Sequence, residues 1–142
     1  MEKQEFTPSF FRFEDLRVYE KAIDYHVWIQ MNTAMFPNTE TNPFVTSFVM
    51  DSLELATKIA TGSSRNKALF TSHLIDAKAA LKRCVVHTTV AQKLNYFSDD
   101  QTEYSKTELM ELTKMIGALI GSLKENRHNS NTKYENKITD RE

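Results

Sequence analysis

Four long stretches of this chain return an apolar residue every three or four positions, with almost nothing inside them that would break a helix. That spacing gives each helix one apolar face, and each face must be buried against another. Only three glycines and three prolines occur in 142 residues. A sheet protein with many turns needs more, so composition and period agree on helices. A single domain of this length can bury a real core.

The first helix is expected from about Glu14 to about Met35, with Leu16, Tyr19, Ile23, Val27 and Ala34 as its apolar positions. Glu14 and Asp15 would occupy its first turn, where the helix dipole favours negative charge. Phe36-Pro37 ends it, because the residue before proline is pushed out of helical geometry. Asn42-Pro43 opens the second helix, with Asn as N-cap and proline where its missing N–H costs nothing. Phe44, Phe48, Leu55 and Ile59 form its stripe, widened by Val45, Val49 and Ala56. Gly62 is expected to stop it as a left-handed cap.

Ser63 or Ser64 would cap the third helix, which reaches about Leu94. Its stripe is Phe70, His73, Leu74, Ala77, Leu81, Cys84, Val85 and Thr88. Asn95 ends it, and Ser98-Asp99-Asp100-Gln101 reads as a capping box for the fourth helix. Leu109, Leu112, Ile116, Leu119 and Leu123 are the fourth stripe. From Asn126 onward apolar residues nearly vanish, which predicts a disordered tail over 126–142. The chain therefore reads as all-α: an arm over 1–12, an antiparallel up-down-up-down four-helix bundle over 13–125, and that tail.

The chemistry of enzymes is not written here. A di-iron bundle needs Glu from two helices and Glu-x-x-His from the other two. One Glu-x-x-His occurs, Glu125-Asn126-Arg127-His128, so no metal or other cofactor is expected. His73 has no carboxylate or cysteine spaced to orient it, and reads as a core or interface histidine. Cys84, the single cysteine, cannot form an intrachain disulfide and reads as a buried thiol. No hydroxyl or thiol is paired with a base. Met1-Glu2-Lys3-Gln4-Glu5 lacks the build of a signal peptide, and no apolar run approaches the ~18 residues that span a bilayer. The expectation is a non-enzymatic, cytoplasmic protein with no membrane partner.

Net charge is −1, but the charge is unevenly spread. From Lys58 to Lys93 seven basic residues face Asp76 alone; from Leu94 to Leu112 five acids face Lys106 alone. At 100° per residue, Lys67, Lys78, Lys82 and Lys93 fall within a sector of about 80° on the third helix. With Arg83 they are the candidate nucleic-acid contacts, a positive stripe for phosphates. The alternative is a solvated face paired with the acidic start of a neighbour's fourth helix. Ala68, Ser72, Ala79, Val86 and Val90 lie opposite the core stripe. A helix that is small or apolar on both sides is usually buried on both, which makes Ala79, Val86 and Val90 candidate contacts with another subunit. Phe6, Phe10, Phe11 and Phe13 are unlikely residents of water. They either cover the bundle's own end or, for Phe10 and Phe11, dock on an adjacent subunit.

Some of these segments carry a resemblance. Phe13-Glu14-Asp15-Leu16-Arg17-Val18-Tyr19-Glu20-Lys21-Ala22, Ile59-Ala60-Thr61-Gly62, Leu94-Asn95-Tyr96-Phe97-Ser98 and Met115-Ile116-Gly117-Ala118-Leu119-Ile120-Gly121-Ser122-Leu123-Lys124 stand in order. Together, over residues 13–124, the chain resembles the four-helix-bundle 23S rRNA intervening-sequence proteins. The accessory variability determinants of diversity-generating retroelements are similar to these. The resemblance implies a homo-oligomeric ring, a pentamer, with no enzymatic activity. It also implies possible partners, ribosomal or other nucleic acid and a nucleic-acid-processing protein. Where the family commonly has basic residues in the second helix, this chain has Val49 and Met50. A scaffolding or binding role follows, with a purely structural or protein-interaction module as the alternative.

Overall fold

The computed structural model describes the backbone of residues 10–134 and the side chains of residues 10–125. A short 3-10 turn, Arg12–Asp15, leads into four helices: α1 Arg17–Thr33, α2 Pro43–Ser63, α3 Lys67–Lys93 and α4 Asp99–Tyr134. No strand occurs among the described residues.

The register of side-chain contacts gives the topology. On α1 and α4, Lys21 reaches Glu108 while Asn32 reaches Gln101, so one number rises as the other falls. On α2 and α3 the pairs are Asp51 with His87, Glu54 with Arg83 and Lys58 with Asp76. On α3 and α4 they are Thr88 with Ser105 and Gln92 with Asp99. Each of these pairs of helices is antiparallel, as are α1 and α2, joined by His26 with Ser52 and Phe36 against Phe44. The fold is the expected up-down-up-down bundle, with α1 and α3 on a diagonal.

Local chemistry explains most helix ends. Asn42 accepts from the Phe44 N–H at 2.9 Å, with Pro43 in the first helical position. The capping box at α4 is complete: the Gln101 N–H donates to Ser98 Oγ, and the Ser98 N–H to Gln101 Oε1. Asn95 adopts φ 63°, and the N–H groups of Asn95 and Tyr96 return to the carbonyls of Gln92 and Ala91. That is the Schellman arrangement, with asparagine in the left-handed position.

Three expectations need correction. Gly62 does not cap α2: no described glycine has positive φ, and the helix runs on to Ser63. Glycine is needed there because a Cβ would lie 2.6 Å from His73 Cβ, where α3 crosses close. With Ser63 inside α2 and Ser64 as its C-cap, the N-cap of α3 is Asn66, which accepts from the Leu69 N–H at 2.9 Å. The start of α1 also differs. Leu16 is extended (φ −81°, ψ 126°), so Glu14 and Asp15 precede the helix, and Glu20 takes the first-turn position. The 3-10 turn brings the Phe13 ring 5.1 Å from that of Tyr19.

The buried face of α1 is Val18, Ala22, Tyr25, Ile29 and Thr33, while Val27 and Ala34 are exposed. The apolar count chose a neighbouring stripe, of which Leu16, Tyr19 and Ile23 are only half-buried, and two members of the buried face carry hydroxyls. Both are satisfied: Thr33 donates to the Ile29 carbonyl, and Tyr25 bonds Ser105. The other stripes hold. Phe48, Leu55 and Ile59 meet Leu74, Leu81, Leu109, Leu112 and Ile116 in the core. Each such side chain contributes about 1.5–3 kcal/mol on burial. Phe36, Phe44, Phe48, Trp28 and Phe97 close one end as a connected aromatic cluster. The helix of α4 continues through Tyr134. The tail expected from residue 126 falls where side chains, and from 135 the backbone, lie outside the described residues, as does Phe6 of the arm.

Candidate functional site

The candidate surface lies on α3. Its core side is filled by Phe70, Leu74, Ala77, Ala80, Leu81, Cys84, Thr88 and Ala91. Small residues at Ala77, Ala80 and Ala91 let α3 lie close to its neighbours, at the cost of leaving little apolar width for the core. The opposite side is open. Ala68, Ser72, Ala79, Val86 and Val90 are all exposed, Val86 by 59%. Ile75, which the apolar count passed over, joins them at 54%. At helical spacing Ile75, Ala79, Val86 and Val90 form one ridge along about 22 Å of helix.

Lysines flank this ridge. Lys67, Lys82 and Lys93 are exposed and Lys78 is half-buried. None of the four makes an ion pair among the described residues. Arg83 is placed differently. Its Nε lies 3.0 Å from Asp51 Oδ1 and a terminal nitrogen lies 3.2 Å from Glu54 Oε1, so it turns toward α2. The stripe therefore brings the lysines together and leaves Arg83 apart from them.

Arg83 belongs to a clasp absent from the sequence reading. Asp51 also takes His87 Nε2 at 2.7 Å, and the His87 ring lies 5.2 Å from Phe48 and 5.6 Å from Phe44. Asp51 Oδ1 and Oδ2 thus hold one basic group each, and hydrogen bonding to Asp51 raises the Arg83 pKa. An Asp–His pair can orient a base, but no hydroxyl or thiol is hydrogen-bonded to this histidine in the described residues. The arrangement joins α2 to α3. Spacing on each helix was the available signal, with Asp51, Glu54 and Lys58 at three and four, and Arg83 and His87 at four.

The remaining candidates are quiet. His73 is half-buried, and its Nδ1 lies 2.9 Å from the Leu69 carbonyl, to which it donates. Cys84 is fully buried, and burial pushes its thiol up, away from reactivity. No group of three metal-ligating side chains occurs among the described residues; His128 lies outside them. No helix there is long and apolar enough to cross a membrane. In the arm, Phe10 is 89% exposed, and a chain of rings runs from it through Phe11 and Phe13 to Tyr19.

On α4 the acids divide. Lys21 holds Glu108 at 2.8 Å and Glu111 at 2.9 Å, a fork that raises the lysine pKa and lowers that of Glu111. Asp100 and Glu103 are exposed and make no ion pair among the described residues.

Comparison with known proteins agrees with this architecture. A solved protein of unknown function from the S23 ribosomal protein family of Bacteroides thetaiotaomicron superposes with a TM-score of 0.67. The two share 14% identity, over 72% of this chain and 97% of that one, which is a likeness of fold. No curated protein matches the chain. The family model described as 23S rRNA-intervening sequence protein matches residues 14–118, from the turn before α1 to the middle of α4, and the chain belongs to that family.

Proposed function

We propose that this protein is a non-catalytic scaffold that self-associates into a closed homo-oligomeric ring through the outer face of α3. The observation that carries the reading is the exposure of Ile75, Val86 and Val90, by 54%, 59% and 37%, on a helix whose other side is already core. Exposed apolar side chains in a contiguous row favour burial against a partner. Family membership supports the ring, with a pentamer as the expected number of copies. Phe10 and Phe11 of the arm add a second apolar element that a neighbouring copy can cover. Light scattering behind size exclusion tests the reading. A mass several times that of one chain is expected, falling toward one chain in Val86→Glu with Val90→Glu. A single-chain mass for the parent protein at tens of micromolar sinks it.

A second reading assigns the lysines to nucleic acid, ribosomal or other, with a nucleic-acid-processing protein as a further partner. The free state of Lys67, Lys78, Lys82 and Lys93 favours it. Phosphate contacts release counterions, so affinity must fall steeply as salt rises. Fluorescence anisotropy with labelled RNA and DNA measures this. Lys78→Glu with Lys82→Glu would abolish such binding, and no binding at low salt removes this second reading.

A further inference from the structure

Resting on the self-association proposed above, we infer that the outer face of α3 docks onto the outer face of α4 of a second copy, in a head-to-tail contact. Charge complementarity names the occupant. The α3 face is an apolar ridge of Ile75, Ala79, Val86 and Val90 beside Lys82 and Lys93, with no acid on it. The α4 face over its first three turns is the converse. Asp100, Glu103, Tyr104, Met110 and Glu111 are all exposed and lie within a sector of about 120°. Tyr104 is 42% and Met110 49% exposed, one on either side of these acids.

Lys82, Lys93, Asp100 and Glu103 have no ion-pair partner among the described residues, so a second copy would supply the counter-charge that the chain itself does not. An α3 face placed on another α3 face would set lysine against lysine. A two-fold contact of α3 on α3 is disfavoured on that ground, and a contact of α3 on α4 favoured.

Charge reversal on each face, then on both, tests the contact. Lys82→Glu with Lys93→Glu, and separately Asp100→Lys with Glu103→Lys, should each reduce the light-scattering mass to that of one chain. All four substitutions are exposed, and circular dichroism checks that each variant stays helical. The chain carrying all four should assemble again, because the swapped charges face each other once more. An assembled parent whose mass ignores either reversal overturns this inference and leaves self-association standing. So does a fourfold variant that stays single. A single-chain parent overturns both. Loss of RNA or DNA binding with the assembly intact gives the lysines to nucleic acid and overturns the inference as well.

Discussion

The hydroxyl of Tyr25 and Oγ of Ser105 meet at 2.8 Å in the centre of the bundle, eighty residues apart in the chain. Ser105 Oγ in turn lies 2.8 Å from Thr88 Oγ1, which donates to the Cys84 carbonyl at 2.8 Å. The order of donors follows from that last bond. Thr88 has spent its hydrogen, so Ser105 donates to Thr88 and Tyr25 donates to Ser105. One chain of hydroxyls thereby ties α1, α4 and α3 together, and burial pushes the Tyr25 pKa strongly upward.

Ser105→Ala should be the most damaging single change within this row of hydroxyls. It removes the main partner of the fully buried Tyr25 hydroxyl, which costs about 1–3 kcal/mol, toward the lower end because Thr88 is also within reach of that hydroxyl. Tyr25→Phe removes a donor but leaves Ser105 its bond to Thr88, so its cost should be smaller, about 1 kcal/mol. The double variant should lose less than the sum. Urea unfolding midpoints of the three variants measure this.

Cys84 should be silent in the native protein. It is fully buried; desolvation is the main force raising its pKa, the Asp51 carboxylate adds to it, and Arg83 opposes it. The thiolate is the reactive form, so neither access nor charge state favours attack. Ellman's reagent at pH 8 should label it only as fast as the bundle opens, and at once in 6 M guanidinium. Rapid labelling without denaturant would contradict this placement.

Stability should fall as pH drops below 6.5, in part through His26. The Ser52 hydroxyl donates to the Val49 carbonyl at 2.8 Å, so it accepts from His26 Nδ1–H at 2.8 Å. Burial lowers the His26 pKa from its ordinary 6.5, and the Val49 carbonyl only partly opposes this. Between the folded value and 6.5 the unfolded chain binds the extra proton, so unfolding is favoured as pH falls through 6.5. Above 6.5 both states are neutral and the contribution vanishes. An NMR titration should place the His26 midpoint below 6.5, and His26→Gln should flatten the slope of unfolding free energy between pH 7 and pH 5.

What the sequence made legible was chemistry confined to one turn. Asn42 with Pro43, Ser98 with Gln101, and Asn95 each act on backbone groups a few residues away, so their meaning is local. Ser63 and Ser64 misled for a related reason. Both have the right side chain, but α2 runs on through Ser63 to a C-cap at Ser64, and the Ser63 hydroxyl donates back to the Ala60 carbonyl. The outward face of α3 was legible at Val86 and Val90, because a wheel needs only period. The clasp of Asp51, Arg83 and His87 was not, because it exists only once the register of α2 against α3 is set. The buried face of α1 was misplaced because a second apolar stripe, Leu16, Tyr19 and Ile23, runs beside it, and its own two hydroxyls look polar until Ser105 and the Ile29 carbonyl are found beside them.

The three glycines should respond to alanine in opposite directions. At Gly62 the added Cβ meets His73 Cβ at 2.6 Å and His73 Cγ at 2.9 Å. Those atoms sit at the root of a side chain on another helix, so the helices must move apart, at a cost of about 1–3 kcal/mol. The gain in helix propensity, at most ~1 kcal/mol in an interior turn, is smaller near the end of α2 and does not offset it. Gly117 and Gly121 sit inside α4 with nothing within 4 Å of their added Cβ. There only propensity acts, and each alanine should stabilise by about 0.5–1 kcal/mol. Thermal unfolding of Gly62→Ala, Gly117→Ala and Gly121→Ala separates the two mechanisms. A rise in midpoint for Gly62→Ala would mean that α2 and α3 do not approach as closely as His73 requires.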